Sequence, residues 1–453
     1  LEFLTFSQLP AGHQNPLTQQ EGTVMHFPLR LFSLAAILFC HWQQAANAQD
    51  WPRFRGPDGM GVSPNINLPA RWSETSNLHW KVNLPGPGSS SPIIYGERLF
   101  LTCSTGKGRD LKRHLLCFDK MTGKKLWQQT VDAAQPEDRY SGYLTEHGYA
   151  SNTPTCDGQR VYAFLGKSGV FAFDLDGKKV WSFDVGKQSS NRRWGSAASP
   201  ILFKDLLIIN AGEEGRAIFA LDKATGKQIW KAAGNSLELA FGTPMIAKLN
   251  NGTQELLISA VGELWSIYPS TGKLKAYKTL RLNGNITPSV VFENDIAYTF
   301  GGYPSTGGQA IKMGGRKVLP ESDVLWSTQI GSYVATPLLH DGHLYWVTDK
   351  GQAVCLNAAS GEEIYRQRLK ELKSGGRPFY ASPVYVDGKI IVPSRRSGIF
   401  VFAAKPKFEQ LGINRFEDDS NFNASIAVSS ERLFLRSDES LYCVGHNQNL
   451  RKK

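Results

Sequence analysis

Cysteine is scarce in this chain: six in 453 residues, at spacings that match neither a zinc site nor a haem attachment. Long apolar runs are missing too. The stretch LFSLAAILFC at 31–40 is too short to span a bilayer as a stable helix. The glycine-rich stretch GGYPSTGGQAIKMGG at 301–315 lacks the lysine-serine ending of a phosphate-binding loop, which argues against nucleotide binding. Asp174-Leu175-Asp176-Gly177 lacks the remaining ligands of a calcium loop and is a turn. The net charge is +11, yet the basic residues scatter over loops: Lys107, Arg109, Lys112 and Arg113; Arg192 and Arg193; Arg395 and Arg396. No aromatic-interleaved motif accompanies them, so nucleic acid is not an expected partner. They read as a solvated basic rim, with weak attraction to anionic envelope polymers left open.

What is present is repetition. LLCFDKMTGKKLW (115–127) returns as VFAFDLDGKKVW (170–181), IFALDKATGKQIW (218–230) and ELWSIYPSTGKLKAY (263–277), and fades into AVCLNAASGEEIY (353–365). Each copy alternates apolar and polar residues, breaks at a Gly-containing turn, then resumes with an aromatic: a strand, a tight hairpin and a second strand. A period of about 40–50 residues means a solenoid or a propeller. Ahead of each hairpin stands Ser-Pro or Thr-Pro and a short apolar strand, at Pro92, Pro154, Pro200, Pro244, Pro288, Pro337 and Pro383. An eighth copy, NASIAVSSERLFLRS (423–437), has lost its proline. Each unit reads as four antiparallel strands, one propeller blade.

The eighth blade lacks an outer strand, because the chain after SLYCVGH (440–446) has no aromatic segment. LHWKVNL (78–84) carries Trp80 where other units carry Trp127, Trp181, Trp230 and Trp326. The expected fold is therefore all-β: an eight-bladed β-propeller of four-stranded antiparallel blades, its ring closed by an N-terminal strand, which removes open sheet edges. The repeat tryptophans are expected to staple neighbouring blades. Residues 1–48 divide into upstream residues and a secretory signal at about 25–48, with Met25, Arg30, the apolar core 31–40 and an Ala46-Asn47-Ala48 cleavage pattern. Then follow an N-terminal extension (49–77), the propeller (78–446) and a basic tail (447–453). Without residues 1–48, which hold Glu2, Glu21 and Arg30, the net charge becomes +12. The mature chain is expected to be a periplasmic or extracellular monomer with no transmembrane segment.

Aligning the copies puts Cys117, Cys355 and Cys443 in the slot held by Ala172, Ala220 and Ser266, a position that wants a small buried residue. Cys103 and Cys117 fall on adjacent strands, so a disulfide and two free thiols are both open.

The pattern Ala220-Leu221-Asp222-Lys223-Ala224-Thr225-Gly226-Lys227-Gln228-Ile229-Trp230 resembles the pyrroloquinoline-quinone (PQQ) repeat, and the resemblance covers essentially all of the mature chain. That family is an eight-bladed propeller and includes quinoprotein alcohol dehydrogenases and the assembly scaffold protein of the outer-membrane BAM complex. The opening DWPRFRGPDGMGVS (50–63) is similar to the start of a group of exported bacterial PQQ-repeat proteins. A dehydrogenase of this family implies Ca²⁺, carboxylate ligands, a catalytic Asp and, in many members, adjacent cysteines. No two cysteines are adjacent here, no Cys-x-x-Cys-His is present, and no quinone ligand can be placed. The expected function is a non-enzymatic binding or scaffold module of the bacterial cell envelope, with no catalytic or metal-ligating residues and no cofactor. A PQQ- and Ca-dependent dehydrogenase, or a related exported oxidoreductase, is the alternative.

The segments entering the innermost strands pass the channel mouth and are rich in rings. Tyr149, Trp194, Phe241, Tyr333, Tyr380 and Phe422 are expected to ring one funnel, with His147, Arg193, Arg377 and Asn423 as polar partners. Such a mouth suits an envelope protein, a peptide or a glycan; equally, the rings simply plug the channel. The insertion QPEDRYSGYLTEHGYA (135–150) carries Glu137, Asp138, Glu146 and His147, and is expected to be a solvated surface loop.

Overall fold

The structure, a computed structural model, describes residues 50–65, 67–304 and 306–446. The signal segment expected at 25–48 and the basic tail at 447–453 lie outside these residues. Eight sheets, each with four antiparallel strands, follow one another around a central channel. The first blade comprises Ile93–Tyr95, Arg98–Thr105, Lys112–Asp119 and Lys125–Asp132. The eighth takes its three inner strands from Ala427–Ser429, Arg432–Arg436 and Ser440–Val444, and its outer strand from Leu78–Asn83. Trp80 stands opposite Cys443 in that ladder, so the N-terminal strand closes the ring.

The repeat phrase is explained by two contacts. Within a blade, the outer-strand aromatic lies opposite the small slot: Trp127 opposite Cys117, Trp181 opposite Ala172, Trp230 opposite Ala220, Trp326 opposite Ala310 and Tyr365 opposite Cys355. A large ring needs a small cross-strand neighbour. Between blades, each indole reaches forward to the next hairpin. Trp80, Trp127, Trp181, Trp230 and Trp326 donate their N–H to the carbonyls of Lys120, Leu175, Lys223, Pro269 and Ala358 at 2.8–3.2 Å. The ring then lies on the turn glycine. A Cβ on Gly123, Gly177, Gly226, Gly272 or Gly361 would fall 2.5–2.8 Å from indole carbons. Glycine serves twice here, since each of these residues also has a positive φ.

A second ring sits inside. The backbone N–H of Ser91 donates to the hydroxyl of Thr153, and the relay continues through Ser199, Thr243, Ser289, Thr336, Ser382 and Ser425 back to Ser91, every bond 2.9–3.1 Å. Each hydroxyl stands two residues ahead of its inner strand. In the fifth blade Pro288 precedes the hydroxyl instead of following it, and in the eighth the proline is gone. The hydroxyl, not the proline, is the fixed landmark of the repeat.

The extension expected at 49–77 is part of the propeller. Trp51 is buried and bridges to Ile94, and the Pro52 carbonyl accepts from the Cys156 N–H. Arg55, also buried, donates to the carbonyls of Gly59, Met60, Thr336, Pro337 and Pro383. Val62–Ser63 then pairs in parallel with Val384–Val386 as a fifth strand of the seventh blade. The segment thus crosses the channel from the first two blades to the sixth and seventh. The five described cysteines are buried and unbridged. Cys103 pairs with His114 while Cys117 pairs with Phe100, so the two thiols are out of step, and burial pushes them up to about 11 and about 12.

Candidate functional site

The hydroxyl ring is the waist of a cavity of about 120 Å³. All eight hydroxyl residues line it. Phe54, carried by the crossing segment, closes it on one side. Tyr143, His147, Trp194, Phe241, Tyr380 and Asn423 surround it on the mouth side.

The insertion 135–150 is not a solvated loop. It forms a short helix, Leu144–His147, over the mouth. Leu144 is buried with Leu111 and Tyr149, and Tyr143 becomes the hub of the collar. Its ring centroid lies 4.9 Å from Trp194, 5.7 Å from His147, 6.0 Å from Tyr380 and 6.1 Å from Tyr333. Buried ion pairs hold the loop down: Glu137 with Arg113 and Lys167, and Asp138 with Lys167. The neighbouring Glu214 is buried beside Glu213, and desolvation first, then that second carboxylate, pushes its carboxyl up to about 7. Glu146 pairs with Arg395 at 2.6 Å. The acidic groups of this loop are thus committed to ion pairs that fix it in place.

His147 is neutral. Its Nε2 lies 2.8 Å from the Trp194 carbonyl, which can only accept, so Nε2 carries the proton and Nδ1 accepts from the Ser151 hydroxyl at 2.6 Å. Burial lowers its pKa to about 4.

The structure brings together part of the expected mouth. His147, Trp194, Phe241, Tyr380 and Asn423 line the cavity. Tyr333 and Arg377 stand beside it, the guanidinium 4.3 Å over the Tyr333 ring and its Nε on Asp349. Three residues do not take part. Tyr149 is turned into the loop's own core, its hydroxyl donating to the Asp138 carbonyl. Phe422 packs on Phe416 and Tyr442; in extended chain, neighbours face opposite ways, so Asn423 facing the cavity sends Phe422 to the core. Arg193 sits exposed on a turn with φ +53°. The expected basic rim also needs correction, because Arg395 is buried, lies 4.6 Å over the Tyr380 ring and donates to Asn423. Tyr143, Phe54 and Tyr303 were not anticipated. Tyr303 reaches the mouth on the glycine-rich loop of the fifth blade, 6.2 Å from Tyr333. The signal for the hydroxyl ring was in the sequence, as the residue beside each proline.

As a holder for the calcium and quinone that the repeat resemblance implies, this wall is poorly matched. It offers hydroxyls, an amide, an imidazole and rings, but no carboxylate for a hard cation. About 120 Å³ is less than the roughly 150 Å³ cavity that takes a benzene. Among the described residues no group of three His, Cys, Asp or Glu could hold a metal ion, and no helix is long and apolar enough to cross a membrane.

These features define an eight-bladed propeller with tryptophan-stapled blades, a channel crossed by its own N-terminal segment and a capped mouth. Residues 77–299 and 315–406 match the family model of the outer membrane protein assembly factor BamB, and the chain belongs to that family. It is similar to the polyvinylalcohol dehydrogenase of Sphingopyxis sp. (strain 113P3), 23% identical over 240 residues, 49% of this chain and 32% of that one. The match therefore spans about a third of that relative's length. Among solved structures, BamB from Moraxella catarrhalis superposes with a TM-score of 0.59 at 12% identity, covering 82% of this chain and 98% of that one. A europium-containing methanol dehydrogenase gives 0.61 at 10% identity, covering 88% and 98%. At these identities the two structures establish the shared fold.

Proposed function

We propose that the protein is a non-enzymatic binding or scaffold module of the bacterial cell envelope that engages its partner at the channel mouth. The carrying observation is the inequality of the two channel ends. One is filled by residues 51–63 of the same chain, anchored through Arg55. The other gathers the 135–150 insertion, the Tyr303 loop and the Arg377 segment around a collar of rings. Rings with a few orienting polar groups suit a peptide or a glycan. Export to the periplasm or beyond is supported by the 25–48 signal pattern and by membership of an envelope-associated family. The test is enrichment of partners from envelope extracts on the immobilised protein, compared with a Tyr303→Ala, Arg377→Ala variant. A partner retained by the first and lost by the second supports the reading; identical capture by both sinks it.

The second reading, a PQQ- and Ca-dependent dehydrogenase, rests on the similarity to polyvinylalcohol dehydrogenase. Titration with PQQ and Ca²⁺, followed by absorption spectra and a dye-linked alcohol assay, decides it.

A further inference from the structure

Beside the collar runs a second cleft, of about 280 Å³, between the 373–378 segment and the turn at 395–397. It is continuous with the mouth: Glu146 and Arg377 line both this cleft and a smaller hollow bounded by Tyr143 and Tyr380. Its walls carry Lys373, Arg377, Arg395 and Arg396 against one carboxylate, Glu146. That carboxylate is already paired with Arg395. The remaining cations are weakly engaged. Lys373 meets Asp419, a side chain 99% exposed, and such a pair is worth little in water. Arg377 uses its Nε on Asp349 and lies over the Tyr333 ring, and its two terminal nitrogens have no hydrogen-bond partner among the described residues. Arg396 donates its Nε to the Asn421 amide oxygen, and no carboxylate pairs with it among the described residues. Ser374, Ser397 and two glycines complete the lining, and Pro378 is its one apolar member.

Guanidinium forks match carboxylate and sulfate groups through paired charge-assisted hydrogen bonds. A stable peptide complex draws its energy from buried apolar anchors, and this cleft has no pocket for one. A charged sugar chain needs none, since its anionic groups and hydroxyls meet cations and serines directly. We infer, resting on the mouth-binding reading above, that this cleft is the subsite for the anionic groups of an acidic polysaccharide whose chain leads on to the tyrosine collar. The net charge of +11 draws such a polymer in.

The test is calorimetric titration and affinity electrophoresis with four probes: polygalacturonate, dextran sulfate, neutral dextran and poly-glutamate. The first two separate carboxylate from sulfate recognition. One of them is expected to bind at least about tenfold more tightly than the other two, and a Lys373→Ala, Arg396→Ala variant to lose about tenfold, the scale of one charged hydrogen bond. Lys204→Ala, Lys231→Ala, placed on the third blade, should bind as the parent does, and both variants should melt as the parent does. Equal binding of neutral dextran overturns the proposal. So does poly-glutamate binding that is as tight and lost in the same variant, which would make the ligand an acidic peptide. Equal losses in the two variants reduce the effect to net charge and also overturn it. If no saccharide binds while envelope partners still enrich through Tyr303 and Arg377, the polysaccharide inference fails and the mouth-binding reading stands.

Discussion

At the far end of the channel Phe54 is held by a segment whose anchor, Arg55, donates only to backbone carbonyls. At the mouth Tyr143 is held by a segment anchored through Glu137, Asp138, Glu146 and His147. Each end carries an aromatic ring on a non-repeat segment, but the two segments are held by different chemistry. Carbonyls do not titrate, and the Arg55 guanidinium, although burial lowers its pKa to about 9, stays charged at neutral pH. The far end is a fixed part of the fold. The mouth cap rests on ion pairs and on an imidazole that burial keeps neutral, with the Glu214 carboxyl, raised to about 7, close by, so it is the end whose closure depends on charge.

The largest expected effect breaks the fixed end. Arg55→Ala removes donors to five carbonyls and should cost about 3–5 kcal/mol in urea unfolding, the range for dismantling a buried charged network. Arg55→Lys should not restore it, because a point charge cannot serve the fork geometry. Tyr143→Ala at the mouth is partly exposed and should cost about 1–3 kcal/mol. If it costs more than Arg55→Ala, the contrast between the two ends is wrong.

The next effects sharpen the contrast through pH. The Glu214 carboxyl is raised from 4.5 to about 7, so between those values the folded state holds a proton that the unfolded chain has released. Stability therefore falls as pH rises through this window, by up to about 3 kcal/mol. Glu214→Gln should flatten the slope and raise the melting temperature at pH 8 more than at pH 5. His147 is lowered from 6.5 to about 4, so there the unfolded chain holds the extra proton. Its contribution is complete above the unfolded value and is lost as pH falls from 6.5 towards 4, by about 1–2 kcal/mol after allowance for solvent. His147→Gln should remove that acid-side slope. Melting curves collected across pH on these variants and on Arg55→Lys check both signs; a pH slope that follows Arg55 instead contradicts the comparison.

The smallest effect lies away from both ends. Reductant should leave melting unchanged, because the described cysteines are buried and unbridged. A drop on adding dithiothreitol would reveal a bridge.

The blades were legible because their instructions are local. A hairpin with a turn glycine, a ring and a small residue opposite it are written within about 15 residues, and Trp230 with Ala220 and Gly226 is one such set. The mouth was legible only as a set of segments. His147, Trp194, Phe241, Tyr380 and Asn423 reached the cavity, whereas Phe422, Tyr149 and Arg193 turned elsewhere. Which residue of such a segment faces the channel is not written in the segment itself and depends on what each side chain finds to pack against. The insertion misled for the same reason: Glu137 and Asp138 read as solvated until Arg113 and Lys167 are seen buried beside them.

The sequence alone determined the number of blades, the split eighth blade and the tryptophan staples of five blades, since every one of these follows from a repeated pattern of neighbours along the chain. The tertiary structure decided which end of the channel is filled and which groups meet at the other. Arg55 reaches Pro383 and Asn423 reaches the carbonyl of Glu146, contacts between residues about 280 to 330 positions apart that exist only once the ring has closed and brought distant segments to one axis.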